Sequence, residues 1–383
     1  MIRRHAAATA LALLVSLAAC DDFKTPRRPE AAVKPTAASV RAPDVIAAQT
    51  PAGPPAVAAD PATTPSTITS PAPAPSADPI ARAIDRAALP ASGAVARRDL
   101  LIRVEVLLDR AHFSPGVIDG TAGANLEAAL ADFQTARKIP ARGVLDAGTV
   151  AALAAADPAP VIATYEIAQA DEEGPFIGAV PRTIEDQAKL PALGYTSPVQ
   201  ELAERFHMSE ALLKTLNPGV DFTRAGTLIL VARAGGGDLP GPVAKVEVDK
   251  TVGRVRALAA DGMVLASFPA TVGSTERPAP SGTFAVTAVA PRPDYTHDPK
   301  RLTFGDASKG VLVVKPGPNN PVGSTWIGLN RPTYGIHGAP DPGRVGKTAS
   351  HGCVRLTNWD AAALGRAVKK GMPVVFTGSE TRA

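Results

Sequence analysis

Two short runs in the C-terminal part of the chain carry the side chains best suited to covalent chemistry: Ile336-His337-Gly338 and Ser350-His351-Gly352-Cys353-Val354-Arg355-Leu356. A thiol attacks only as thiolate, and near neutral pH it needs a base or a cation within reach. An imidazole supplies the base and later returns the proton to a leaving amine, so Cys with His fits acyl transfer through a thioester. Two histidines compete for that role. His351 lies so close to Cys353 in sequence that, in extended chain, it points to the same side but roughly 7 Å along the strand. His337 belongs to a separate segment and is freer to face the sulfur. No Asp or Asn stands at an obvious third position, so the Gly338 carbonyl is the candidate for orienting the imidazole. Gly352 permits an unusual turn before the nucleophile, with the amides of Gly352 and Cys353 aimed at a developing oxyanion. Ser350 and His351 can shape the loop by hydrogen bonds. Arg355 either holds a substrate carboxylate or makes a structural ion pair.

His337, His351 and Cys353 are also zinc-compatible donors. The chain has 6 histidines, His5 lies in the N-terminal segment, and neither Cys-x-x-Cys nor His-Glu-x-x-His occurs. The reaction is therefore expected to need no metal and no other cofactor. The cysteine count points the same way. The chain has 2 cysteines, Cys20 and Cys353; if Cys20 is lipidated, Cys353 has no second cysteine for a disulfide, and a reduced thiol in an oxidising compartment favours a reactive role over a packing role.

The elements that must position these residues are mostly strands. Segments 245–249, 255–258, 264–272, 283–289 and 311–314 are β-branched runs broken by Gly, Pro and Asp. One helix is predicted over 358–369, capped by Thr357 or Asn358, with Asp360 in its first turn and Gly371 beyond its end.

With Pro280-Ser281-Gly282-Thr283-Phe284 upstream, the two runs in this order resemble the catalytic domain of L,D-transpeptidases, over about 243–377. The resemblance implies a mainly β sandwich or barrel with one helix, in which Cys353 is the nucleophile and His337 the base. It also implies a reaction: attack on the L,D bond before the terminal D-Ala of a peptidoglycan tetrapeptide stem, then transfer to an amine on another stem or on a wall-linked protein. The alternatives are a related hydrolase that passes the acyl group to water, and a non-catalytic wall-binding lipoprotein with a vestigial enzyme domain. Intact His337 and Cys353 argue against the last.

The chain upstream divides further. Over 97–156, Leu100, Leu101, Val104, Leu107 and Leu108 fall at helical spacing, and two more apolar helical faces follow, which makes a small three-helix domain. Its stretch Gly116-Val117-Ile118-Asp119-Gly120, with Phe133, Gln134 and Gly143-Val144-Leu145-Asp146, resembles a peptidoglycan-binding domain. Over 163–233, a strand at 165–168, helices at 198–206 and 209–216, a stop at Asn217-Pro218-Gly219 and a strand at 227–231 resemble a LysM module, an α+β glycan binder. An insertion at 171–193 departs from that pattern and either stands apart or leans on the catalytic domain. The Gly-rich stretch 234–242 reads as a linker.

The N-terminus reads as an export segment. Arg3, Arg4 and His5 precede an apolar run too short to span a bilayer, and Leu17-Ala18-Ala19-Cys20 resembles a lipoprotein box, in which Cys20 is acylated and residues 1–20 carry the signal. Residues 21–96, rich in Ala, Pro, Ser and Thr, read as a disordered tether. The expected setting is the periplasm, on a membrane through the lipid anchor. Peptidoglycan stem peptides and glycan are the expected partners. A net charge of +4 without a basic block gives no reason to expect nucleic acid.

Overall fold

Order begins earlier than the composition predicts. The computed structural model describes residues 74–274, 278–299, 310–348 and 352–380; the expected signal segment, Cys20 and most of the tether lie outside these residues, as do Ser350 and His351. Within the stretch expected to be tether, β1 (Ala74–Pro75) pairs with a later strand and α1 (Pro79–Arg86) is a formed helix. Asp78 accepts a hydrogen bond from the Ile80 amide at its start, and Pro79 occupies the first turn, where a missing N–H costs nothing. Ala81 and Ile84, one helical turn apart, are buried, and this apolar pair anchors a segment whose composition alone reads as disordered.

The three predicted helices follow as α2 (Ala94–Arg110), α3 (Ala124–Ala136) and α4 (Ala147–Ala156). Phe113 and Phe133 meet edge to face at 5.6 Å. The buried Gln134 side chain ties α3 to the Gly143 loop, accepting from the Arg142 and Gly143 amides at 3.0 Å and donating to Val144 O at 3.0 Å.

Next come β2 (Ile162–Glu166), α5 (Gln169–Glu173), α6 (Ile184–Gln187), α7 (Pro198–Arg205), α8 (Glu210–Leu216) and β3 (Leu228–Ala232). β2 and β3 are antiparallel, with β1 on the outer side of β2. The insertion holds the short helices α5 and α6. It does lean on the catalytic domain: Leu193 N donates to Pro316 O at 3.0 Å, and Asn319 N donates to Leu193 O at 3.0 Å.

The remaining strands are β4 (Lys245–Asp249), β5 (Arg254–Leu258), β6 (Val264–Pro269), β7 (Thr271–Val272), β8 (Gly282–Pro291), β9 (Tyr295–His297), β10 (Leu312–Val314), β11 (Thr325–Leu329), β12 (Gly335–His337), β13 (Val354–Arg355) and β14 (Pro373–Thr377), with α9 (Asn358–Ala367) before the last. Nine of them form one sheet in the order β6-β5-β4-β14-β8-β11-β12-β13-β7. The run 264–272 is predicted as one strand but divides at Ala270, whose amide makes a last bond to Gly253 O at 2.8 Å before the chain leaves β5. Its halves, β6 and β7, stand at opposite ends of the sheet order with only Ala270 between them, so the sheet must roll until its edges nearly meet. β9 and β10 form a separate hairpin.

The stretch 234–242 does not hold the modules apart. Gly235 N donates to Asp109 Oδ2 at 2.6 Å, and a Cβ on Gly235 would clash with the Asp109 carbonyl. Ser114 N donates to Ser267 O at 2.8 Å and Ser267 N donates to His112 O at 2.9 Å, which extends the ladder past edge strand β6. Asp132 on α3 pairs with Arg254 at 3.4 Å and Arg256 at 3.0 Å on β5. Among the described residues, no helix is long and apolar enough to cross a membrane.

Candidate active site

β12 and β13 run parallel, with Ile336 opposite Val354 and His337 opposite Arg355. Side chains alternate along a strand, so this register sends Ile336 and Val354 to one face, where both are fully buried, and His337, Arg355 and Cys353 to the other. Cys353 directly precedes β13 and falls level with Gly335, diagonal to His337. The Leu356 amide donates to His337 O at 2.8 Å and extends the ladder past the pair.

His337 is 4% exposed, stacked on Trp326 with ring centroids 5.5 Å apart. Its Nδ1 lies 2.7 Å from Gly338 O. A carbonyl only accepts, so Nδ1 carries the proton and Nε2 keeps its lone pair. Burial pushes the imidazole down to about 4; the Gly338 carbonyl opposes this shift and the Arg355 charge adds to it. Burial pushes the Cys353 thiol above its ordinary range, against a backbone hydrogen bond from Gly335 and the Arg355 charge. Burial thus disfavours the charged form of both groups, which leaves thiol and imidazole neutral near neutral pH.

The loop before β12 completes the wall around the sulfur. Cys353 Sγ lies 3.7 Å from Thr333 O, and Thr333 sits at φ 60°, a left-handed conformation rare for a β-branched residue. Gly352 has φ 124°, which an L side chain rarely adopts, and its carbonyl accepts from the Tyr334 hydroxyl. Two clefts flank the site. One of about 460 Å³ is lined by Asp294, Tyr295, Val322, Trp326 and Thr333. The other, about 510 Å³, is lined by Arg355, Arg344, Asp341 and Asn319 together with Val180 and Gln187 of the insertion.

The structure thus brings His337, Gly338, Gly352, Cys353 and Arg355 together, while Ser350, His351 and Cys20 lie outside the described residues. Among the described residues no cluster of three His, Cys, Asp or Glu has metal-binding geometry. Sequence reasoning missed Tyr334, Trp326 and Thr333. Tyr334 had a usable signal, an aromatic residue in the turn Arg331-Pro332-Thr333-Tyr334-Gly335 directly before Ile336-His337-Gly338. Trp326 had none, because its stacking follows from the β11–β12 register, in which it stands opposite His337.

Residues 244–376 match the YkuD family, the L,D-transpeptidase catalytic domain, and residues 97–153 match a peptidoglycan binding domain family. The chain carries a YkuD-type L,D-transpeptidase domain. A Bacillus licheniformis protein named as L,D-transpeptidase YkuD is 38% identical over 79 residues, 20% of this chain and 48% of its own length. A Bacillus subtilis protein of the same name is 25% identical over 181 residues, 46% of this chain and 92% of its own. The Escherichia coli protein named as L,D-transpeptidase YbiS is 28% identical over 196 residues, 50% of this chain and 63% of its own. The chain spans about half the length of the first of these. The L,D-transpeptidase match begins just before β4 and ends within β14, so it takes in the nine-stranded sheet except Thr377.

Proposed function

We propose that the chain is a cell-wall L,D-transpeptidase in which Cys353 is the nucleophile and His337 the base. The observation that carries this reading is the β12–β13 register, which aims His337, Cys353 and Arg355 at one side, with His337 held by Gly338 O so that Nε2 is the basic atom. In the proposed cycle, Nε2 takes the thiol proton as sulfur attacks the L,D carbonyl of a tetrapeptide stem. The same imidazole then protonates the departing amine of D-Ala, leaving a thioester. An amine on a second stem or on a wall-linked protein, deprotonated by Nε2, attacks the thioester and restores the thiol. Arg355 borders the 510 Å³ cleft and is placed to pair with a substrate carboxylate. The residues matched to the peptidoglycan-binding family, and the LysM-like β2–β3 module, hold the enzyme on stem-bearing glycan. Cys20 anchors it to a membrane facing the periplasm.

The test is mass spectrometry of products from tetrapeptide muropeptides. Free D-Ala together with cross-linked dimers is the expected result. Tripeptide and D-Ala without dimers means that water is the acceptor, and no D-Ala release overturns the reading.

A further inference from the structure

Asn358 opens α9, and its carboxamide fills a slot between two glycines of the catalytic domain. A Cβ on Gly323 or on Gly338 would collide with Asn358 Oδ1, so the amide lies directly against both backbones. Oδ1 accepts from the Ser324 amide at 3.0 Å, while Nδ2 donates to Pro318 O at 3.1 Å. Nδ2 also faces a carboxylate from another module. Glu204, on α7 between β2 and β3, accepts from it through Oε1 at 3.1 Å and Oε2 at 3.2 Å. Glu204 itself is steadied by the Tyr195 hydroxyl at 3.2 Å. Two acceptors on one side and one donor on the other fix which way the amide points. The peptide it presses on is Gly338, whose carbonyl holds His337 Nδ1.

We propose that Glu204 is a positioning residue for His337, acting through Asn358 and the Gly338 peptide, so that the module upstream of the catalytic sheet sets the tautomer of the catalytic imidazole. This rests on the reading of His337 as base. Without Glu204, Asn358 keeps one partner on each side, Ser324 N on Oδ1 and Pro318 O on Nδ2, which set the sense of the amide but leave one Nδ2 hydrogen unpaired and the carboxamide freer to shift against Gly338. The ionised carboxylate adds an acceptor pair that only Nδ2 can satisfy and penalises the swapped amide by placing oxygen against oxygen. The acid must be ionised to act fully, because a protonated carboxyl commits one oxygen as a donor. Burial holds Glu204 at about 7, opposed by hydrogen bonds from Asn358 and Tyr195 and by the His207 charge, with Glu201 pushing it upward. Its ionisation therefore falls inside the working pH range, whereas that of His337 lies near 4.

The experiment uses the full chain with ¹⁵N-labelled histidine, compared with Glu204→Ala and Glu204→Gln, the His337 signals being assigned from their loss in His337→Gln. Glutamine keeps an acceptor for Asn358 and offers an amide to the Tyr195 oxygen, so it replaces the geometry without the titration. In the unmodified chain His337 shows a single Nδ1–H tautomer at pH 8 and a mixture at pH 5, where Glu204 is protonated; Glu204→Ala shows a mixture at both, and Glu204→Gln restores the single form at both. In D-Ala release, Glu204→Ala lowers kcat about tenfold with KM changed by less than about twofold, a loss typical of a misplaced general base. Glu204→Gln recovers most of kcat and lacks the step near pH 7. Unchanged His337 signals in Glu204→Ala overturn the proposal, as does a loss that glutamine fails to restore or a step near pH 7 that persists in Glu204→Gln carrying Asp360→Asn, Asp360 on α9 being raised to about 7 as well. If the unmodified chain releases no D-Ala, the transpeptidase reading fails while the imidazole spectra still decide the positioning role.

Discussion

His337 and Arg355 are register partners across the parallel β12–β13 pair, so a guanidinium issues beside the imidazole on the same face of the sheet. The cation favours the thiolate of Cys353 and disfavours the imidazolium of His337. Arg355→Gln is accordingly expected to push the thiol pKa further up and let that of His337 rise. Alkylation of Cys353 by iodoacetamide at pH 8, in a chain carrying Cys20→Ser, should slow by roughly threefold to tenfold. An unchanged rate would mean that Arg355 serves substrate alone.

Removal of either reacting group should stop turnover. Cys353→Ala and His337→Ala are each expected to lower D-Ala release by about a thousandfold or more, and His351→Ala to leave a measurable remnant. The base is active as neutral imidazole, so activity falls as pH drops through the folded His337 value near 4, not through the ordinary 6.5. A pH–kcat profile of Glu204→Gln isolates that limb. A midpoint near 6.5 there would contradict the burial of His337.

The segments 245–249 and 358–369 show how much of the fold was legible in sequence. The first alternates polar and apolar residues and forms β4 over those same residues, while the helix forms over Asn358–Ala367 with Thr357 as its cap. The candidate site residues Cys353, His337 and Arg355 stand out in sequence because they fall in short runs of unusual composition, and the β12–β13 register brings them to one face. Contacts between modules were not. Glu204 meets Asn358, and Asp132 meets Arg256, across more than a hundred residues of chain, and neither carries a local periodicity that marks its partner. Residues 74–96 were misread because a few apolar side chains, Ala81 and Ile84 among them, outweigh a composition that otherwise resembles the tether.

Asp132 offers a measure of how firmly the modules hold together. It faces Arg254 and Arg256 and accepts from the Ser267 hydroxyl, and Arg254 is 1% exposed. Asp132→Ala leaves a buried guanidinium without its main counter-charge and is expected to destabilise the chain by about 3–5 kcal/mol in urea denaturation. A loss below about 1 kcal/mol would show that Arg254 rehydrates or finds another acceptor.

A second interface group should appear in the pH dependence of stability. Asp360 on α9 accepts from the Ser114 hydroxyl at 2.9 Å, and burial, with Asp109 nearby, raises it to about 7. The folded chain keeps that proton where the unfolded chain has lost it, so stability falls as pH rises from about 4 to about 7. Glu204 contributes in the same direction and His337 in the opposite one. Asp360→Asn should therefore lose less Tm than the unmodified chain between pH 5 and 8, by a few degrees, on the order expected for a domain of this size. Parallel Tm curves would place the titration elsewhere.

On the proposed lipid anchor, Cys20→Ser is expected to move the protein from the membrane fraction to the soluble periplasm while leaving D-Ala release intact. Retention in the membrane fraction would remove the lipoprotein reading.

Residues 112–114 complete the open edge of β6 with backbone hydrogen bonds, and they are synthesised well before it. Synthesis runs from the N-terminus, so this stretch already exists when β6 is made. The strand most prone to seek a neighbouring molecule during maturation finds a docking rail within its own chain. The upstream domain thus closes an edge that would otherwise stand open to a second molecule, and the sheet is finished only when both parts of the chain are present.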